Sequence, residues 1–301
     1  MRTALCDADV ILYEVGFGAQ MKDPDTGLPD VKNWDWVQEL LEHKLKLIQE
    51  EAGATDLLLF FTNTKRINKL LNRERVRQEQ PVKEYIPNFR EAIAVQKEYK
   101  GDRKAEKPFH FYNLLAHMLS NYPHYVGEDG LEADDYMCIR QYKTWRDKDT
   151  IICSRDKDLR QCPGMHYSWE MGKQAAIGPL FVEPLGFLEK RNEGQKYANG
   201  KPKPISLFGT GHKFFYAQML MGDKVDSIGG VEGRGPAFAH NLLHDVETER
   251  ECYELVAEIY VKAYGDDWRV RMKEQADLLH MVRELNEDGS PKLWLPPRRE
   301  Q

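Results

Sequence analysis

The stretch GLEADDYMCIRQY, residues 130–142, sets Glu132, Asp134 and Asp135 within four positions and runs directly into the apolar Tyr136, Met137 and Ile139. Carboxylates this close repel one another, and beside apolar neighbours each also carries a desolvation cost. Three further acidic groups recur along the chain: Asp7 and Asp9 in CDADV, Asp156 and Asp158 in SRDKDL, and Asp223 and Asp226 in GDKVD. Hard oxygen donors without accompanying cysteines or histidines select Mg²⁺ or Mn²⁺ over zinc. Two such ions about 4 Å apart can stabilise both the attacking and the leaving oxygen when a phosphodiester is hydrolysed, and they would offset the repulsion. Each group alone has a plainer reading. DAD after a strand can cap the next helix, SRDKDL can be a loop with an N-cap, and the trio at Glu132 can be a first helical turn favoured by the helix dipole. Their joint occurrence at strand ends and helix starts favours the metal reading.

The elements that must carry these groups are legible as hydrophobic runs. TALCD reads as a strand that ends near Asp7 and leads into a helix, which puts Asp7 at a strand's carboxyl end, where open parallel sheets bind ligands. TDLLLFFTN, residues 55–63, and DTIICSRDKDL, residues 149–159, read as buried parallel strands leading into loops. Helical patterns lie between them: NWDWVQELLEHKLKLIQEEAG closes with Gly53, and FHFYNLLAHMLSNY stops at Pro123. This alternation predicts a parallel α/β sheet. Residues 190–204, rich in Gly, Lys, Asn and Pro, read as a mobile excursion. From Phe208 onward the pattern is helical, broken by GDKVDSIGGVEGRGPAF. In that break Gly230, Gly233 and Gly235 suit a tight hairpin whose backbone N–H groups and following helix N-terminus can face a phosphate. Two domains follow, at 1–205 and 206–301.

Composition limits the partners. A formal net charge of −6 argues weakly against nucleic acid, yet from Lys65 to Lys107 thirteen Lys/Arg face seven Asp/Glu, a local +6. That segment is either a phosphate-binding surface or a solvated helix with ordinary ion pairs. Setting aside the nine clustered carboxylates leaves 40 acidic against 43 basic residues, so the remaining surface is mildly positive. There is no apolar run of about 18 residues to span a bilayer. Asp7 and Asp9 interrupt what would be the apolar core of a signal peptide. The five scattered cysteines form no C-x-x-C pair, which argues against a zinc ribbon or disulfide framework and for a reducing cytoplasm.

Together these stretches resemble the structure-specific 5′ nucleases, the flap-endonuclease and 5′→3′ exonuclease family, with the short phage-encoded members nearest. LEADD resembles the family's E-A-D-D, SRDKDLRQ its S-x-D-x-D, and GDKVDSIGGVEGRG its G-D-x-x-D-x-I-x-G-V-x-G-x-G. EYKGDR, residues 98–103, is similar to the Tyr-Lys and Arg of the family's helical arch, and KLWLPP to the tail of the phage exonucleases. Three features depart from the pattern: Asn63 stands where the family carries Asp after its second strand; the segment from Asn63 to NFREA is longer than expected, with Gln96-Lys97 in place of the usual Pro-containing approach to the Tyr-Lys pair; and Ala237 stands where many relatives carry Lys.

The resemblance implies a PIN-like α/β nuclease domain with a parallel sheet, an arch at about 65–107, and a helix–hairpin–helix region that grips duplex DNA. It implies two Mg²⁺ or Mn²⁺ ions, with Asp7, Glu132, Asp134 and Asp135 around the first and Asp156, Asp158, Asp223 and Asp226 around the second. Lys100 and Arg103 would contact the scissile phosphate, Tyr99 would stack on a terminal base, and Gly230, Gly233 and Gly235 would approach the DNA backbone. The expected activity is Mg²⁺-dependent 5′→3′ exonuclease or 5′ flap endonuclease cleavage of DNA, with RNA–DNA hybrid as a further substrate. A monomer without membrane contact, in the cytoplasm of a host cell if phage-encoded, is expected. The alternatives are a PIN-like ribonuclease and a catalytically weak protein that binds DNA ends.

Overall fold

The computed structural model describes residues 1–23, 25–101, 106–172 and 174–298. In chain order its first elements are β1 (Thr3–Asp7), α1 (Ala8–Gly18), β2 (Gln20–Lys22), β3 (Pro29–Val31), α2 (Trp34–Glu51), β4 (Asp56–Phe61), α3 (Lys65–Arg77) and α4 (Phe89–Ile93). Next come α5 (Phe111–Asn121), β5 (His124–Val126), α6 (Ala133–Tyr142), β6 (Thr150–Cys153), β7 (Gly164–Ser168) and β8 (Ile177–Val182). The chain ends through β9 (Leu188–Arg191), β10 (Ser206–Gly209), α7 (Gly211–Met221), β11 (Gly222–Asp223), β12 (Ile228–Gly229), α8 (Pro236–Leu243), α9 (Glu249–Tyr264) and α10 (Trp268–Leu279). They form two compact units, one of Met1–Pro87, Lys104–Lys157 and Gly164–Phe181, the other of Asn88–Arg103, Asp158–Pro163 and Val182–Gln301. The chain passes between the two several times.

In the first unit the six-stranded sheet runs in the order β5-β4-β1-β6-β7-β8. β1 is parallel to β4, with Asp7 opposite Phe60, and parallel to β6, with Cys6 opposite Cys153. β4–β5 and β6–β7 are also parallel. The predicted parallel α/β fold is therefore present, and the runs expected as strands are its three central members. After β1 the chain builds outward on one side through β4 and β5, then crosses to the other side for β6. That reversal makes the carboxyl edge beside β1 the topological switch point, the place where such sheets take ligands. Val37, Leu41, Leu45 and Ile48 give α2 one buried stripe at helical spacing against the sheet, together with Ile11, Leu12 and Val15 of α1. α2 starts where Asn33 accepts a hydrogen bond from the Trp36 N–H and stops before Gly53, whose φ is +61°.

The second unit is built on α7, α9 and α10, whose Phe214, Tyr216, Val256, Tyr260, Met272 and Ala276 share one core. Tyr260 crosses it and donates to the Met219 carbonyl at 2.8 Å. Residues 190–204, expected as a mobile excursion, run from the end of β9 to the start of β10 and carry one isolated antiparallel bridge, Lys196 with Pro202. Tyr197 N–H donates to Lys201 and Asn192 to the Ser206 hydroxyl, so polar side chains that signal a loop here close a hairpin.

Arg90, counted above among the cations of the basic segment, is wholly buried. It donates from Nε to the Leu278 carbonyl at 3.1 Å and from Nη2 to the His280 carbonyl at 3.0 Å, satisfying orphan groups at the end of α10. Arg90→Ala is expected to lower the stability of the protein by about 3 kcal/mol in urea unfolding, as loss of a buried, hydrogen-bonded charge does.

Candidate functional site

Asp7, the last residue of β1, is 3% exposed and has two tasks. Oδ1 accepts from the Val10 N–H at 3.1 Å and so caps α1, while Oδ2 accepts from the Ser154 hydroxyl at 2.7 Å. Ser154 Oγ in turn accepts from the Asp156 N–H at 2.9 Å, which ties the exits of β1 and β6 together. Asp9 accepts from the Thr62 N–H at 3.0 Å, and Thr62 Oγ1 accepts from the Ala133 N–H at 3.0 Å. One circuit of hydrogen bonds thus fixes the start of α1, the loop after β4 and the start of α6.

Glu132 and Asp135 form a capping box at the start of α6, with the Glu132 N–H donating to Asp135 Oδ2 at 3.2 Å. Both are buried, and Asp134 beside them is half-buried. The capping reading of this trio is thus borne out. Burial, foremost, and repulsion by Asp9 and Asp156 raise the Asp7 carboxyl to about 7, against the hydrogen bonds from Ser154 and Val10. Asn63 follows this edge at 8% exposure, and neither atom of its amide has a hydrogen-bond partner.

The remaining acids belong to the second unit. Asp158 opens the 3-10 turn Asp158–Gln161, is 7% exposed and accepts from Gln218 Nε2 at 2.6 Å. Asp223 is buried in β11 and accepts from the Val225 N–H at 2.8 Å. Asp226 accepts from the Lys100 N–H at its carbonyl at 3.0 Å and from the Tyr99 hydroxyl at 3.4 Å. Tyr99 is only 9% exposed and packs in the second core. Lys100 sits at φ +56°, a conformation that costs energy for any residue but glycine, and its ammonium lies 4.9 Å from the Tyr99 ring. Arg103 lies outside the described residues.

The three hairpin glycines separate by cause. A Cβ on Gly230 would meet the Leu220 carbonyl oxygen at 2.4 Å, so its smallness is required by packing. Gly233 needs its φ of +71° and opens onto empty space. Gly235 caps α8 without a side chain, nothing stands where its Cβ would be, and Pro236 follows it. Of the basic segment, Arg75 and Lys83 are paired with Glu128, whose carboxyl is held below its usual value because these cations outweigh its burial. Lys65, Arg66, Lys69, Arg73 and Arg77 of α3 are exposed.

As the side chains stand, no three His, Cys, Asp or Glu residues among the described residues form a group that could hold a metal ion. The donors suit a cation by their chemistry: they are hard carboxylates, and one of them, Asp7, is driven toward protonation by burial and then by its acidic neighbours, a strain that a divalent ion relieves. The sequence reading missed Ser154, Thr62 and Gln218. Ser154 had a local signal, two residues before Asp156, whereas Thr62 and Gln218 bond partners roughly 60 to 70 positions away and had none.

What these two units define is an α/β fold with a mostly parallel six-stranded sheet and a separate helical unit. Among solved structures, the chain is similar to a bacteriophage T5 protein crystallised with metal ions, at 11% identity and a TM-score of 0.46, covering 93% of this chain and 100% of that one. It is also similar to bacteriophage T5 5′-exonuclease with bound zinc, at 15% identity and a TM-score of 0.45, covering 93% and 98%. A third is the bacteriophage T5 flap endonuclease in a complex with DNA and metal ions, at 12% identity and a TM-score of 0.42, covering 93% and 99%. No protein-family model matches the chain, and no curated protein matches it. No helix among the described residues is long and apolar enough to cross a membrane.

Asp7→Asn should stabilise the metal-free protein at pH 8. The folded carboxyl, at about 7, lies above its ordinary 3.8, so its contribution is greatest below that ordinary value and is lost as pH rises through 7. Asn keeps the capping acceptor and removes the charge. In EDTA the variant is expected to melt several degrees above the parent at pH 8, on the order of 2–4 kcal/mol, and the two melts should converge as pH falls below 5.

Proposed function

We propose that the protein is a divalent-metal-dependent 5′ nuclease that hydrolyses DNA at 5′ ends or 5′ flaps. The observation that carries this reading is the carboxyl edge of β1 and β6, where Asp7 is buried and both Asp9 and Asp156 act on it electrostatically. Such a cluster is costly in a resting fold and useful around a cation. The ordered motifs from Asp7 to Gly235, read by resemblance, supply the substrate class.

In this reading Asp7, Glu132, Asp134 and Asp135 hold one Mg²⁺ or Mn²⁺ ion, and Asp156, Asp158, Asp223 and Asp226 a second. Bound there, such ions supply a Lewis acid and lower the pKa of water. The chain's own residues do the rest. Ser154 orients Asp7 and Asp156, the capping box aims Glu132 and Asp135, and Lys100 carries positive charge to the reacting phosphate. The exposed cations of α3 and the uncapped start of α8 attract the DNA backbone. Asn63, neutral where the resemblance expects a carboxylate, favours a second reading, a DNA-end-binding protein with weak turnover.

A metal titration on 5′-labelled duplex and flap substrates separates these readings from a ribonuclease, which would cleave RNA in preference to DNA. Asp156→Asn and Asp158→Asn should each abolish cleavage and leave DNA affinity equal or higher, since negative charge near phosphate is removed; full activity in both would end the metal reading. Lys100→Ala should slow single-turnover cleavage about 100-fold at saturating enzyme, the usual cost of one preorganised cation. A change confined to the dissociation constant would make Lys100 a peripheral contact.

A further inference from the structure

Asp158 stands at the end of a chain of two buried glutamine amides. Gln218 donates from Nε2 to Asp158 Oδ1 at 2.6 Å. Gln161 donates from Nε2 to Gln218 Oε1 at 2.8 Å and to the Leu279 carbonyl at 3.0 Å. Gln161 is fully buried and Gln218 is 1% exposed. Arg283 donates to the Gln161 carbonyl at 2.8 Å, which pins the end of the turn that Asp158 begins.

The chain has a direction that no member can reverse alone. A main-chain carbonyl only accepts, so Leu279 obliges Gln161 to present its NH₂ group, whose two hydrogens are then used. Gln218 must therefore turn its oxygen to Gln161 and its own NH₂ to Asp158. Flipping either amide would set oxygen against oxygen. The arrangement presents a donor to Asp158 Oδ1, whose lone pairs accept it. Gln161 Oε1 is left buried without a partner, a cost that optimal folding would avoid.

Resting on the metal reading of Asp158 given above, we propose that Gln218, oriented by Gln161, is a positioning residue that locks the Asp158 carboxylate in the rotamer that binds a divalent cation. The SRDKDLRQ stretch then has a second purpose. Gln161 reaches Asp158 only through a residue of α7, and the turn and the helix together define the ligand.

The test measures metal binding by the full-length protein, freed of metal and titrated with Mn²⁺, with free Mn²⁺ read by electron paramagnetic resonance. Asp158→Asn, Gln218→Leu and Gln161→Leu are compared with the parent, and the melt of each in EDTA reports folding. Gln218→Leu and Gln161→Leu are both expected to weaken Mn²⁺ binding about 10-fold, the usual effect of losing a partner behind a metal ligand. In the Asp158→Asn background Gln218→Leu should add nothing, because its effect runs through that carboxylate. A purely structural glutamine would lower the melting temperature and leave the Mn²⁺ affinity unchanged. If Asp158→Asn loses affinity while Gln218→Leu and Gln161→Leu bind as the parent does, the positioning role is overturned and the nuclease reading stands. If Asp158→Asn itself binds as the parent does, the metal reading of Asp158 falls and takes the proposal with it. Should Gln218→Leu fail to fold, Gln161→Leu decides alone, since it leaves Asp158 and Gln218 in place.

Discussion

Parallel pairing of β1 on both sides is the constraint from which the first unit follows. A strand with parallel neighbours left and right must be joined to each by a crossover, and each crossover delivers its loop to the same carboxyl edge. Asp7, Asn63 and Ser154 with Asp156 therefore arrive together though they are far apart in sequence. The edge is then braced by short polar links, Asp7 to Ser154 and Asp9 through Thr62 to Ala133. Such links let several carboxylates be held at fixed spacing despite their repulsion.

The same economy governs the cations. A local excess of +6 between Lys65 and Lys107 suggests one continuous phosphate-facing surface. In the folded chain Arg90 closes the end of α10, and Arg75 and Lys83 hold Glu128. The exposed remainder on α3 is a narrower stripe. Charge counted along a segment measures the stripe and the structural cations together, and only burial separates them.

What was legible in the sequence follows from the length and continuity of each run. TALCD, DLLLFF and TIIC are apolar stretches buried on both faces, and they emerged as the sheet's centre. β5, with three residues, and β7, with His166 and Ser168 among its buried members, have too little apolar continuity to be read as strands. The carboxylates of the site were visible because acids beside apolar residues are unusual. Their partners were not, since a serine, a threonine or a glutamine is ordinary anywhere in a chain. Tyr99, to which the resemblance gave a stacking role, also packs in the second core, a contact that its neighbours in sequence did not announce.

The interleaving of the two units bears on how this chain can be cut and in what order it can form. The helical unit draws Arg90 and Tyr99 from one earlier segment and Gln161 from another, so a fragment starting at 206 would lack a buried guanidinium, a core ring and the amide behind Asp158. During synthesis those residues emerge from the ribosome a hundred or so positions before the helices they complete, and must wait while the central strands pair. The unit that looks like an appended module in the sequence is thus topologically sewn into its neighbour, and transplanting it onto another protein would require carrying both earlier segments along.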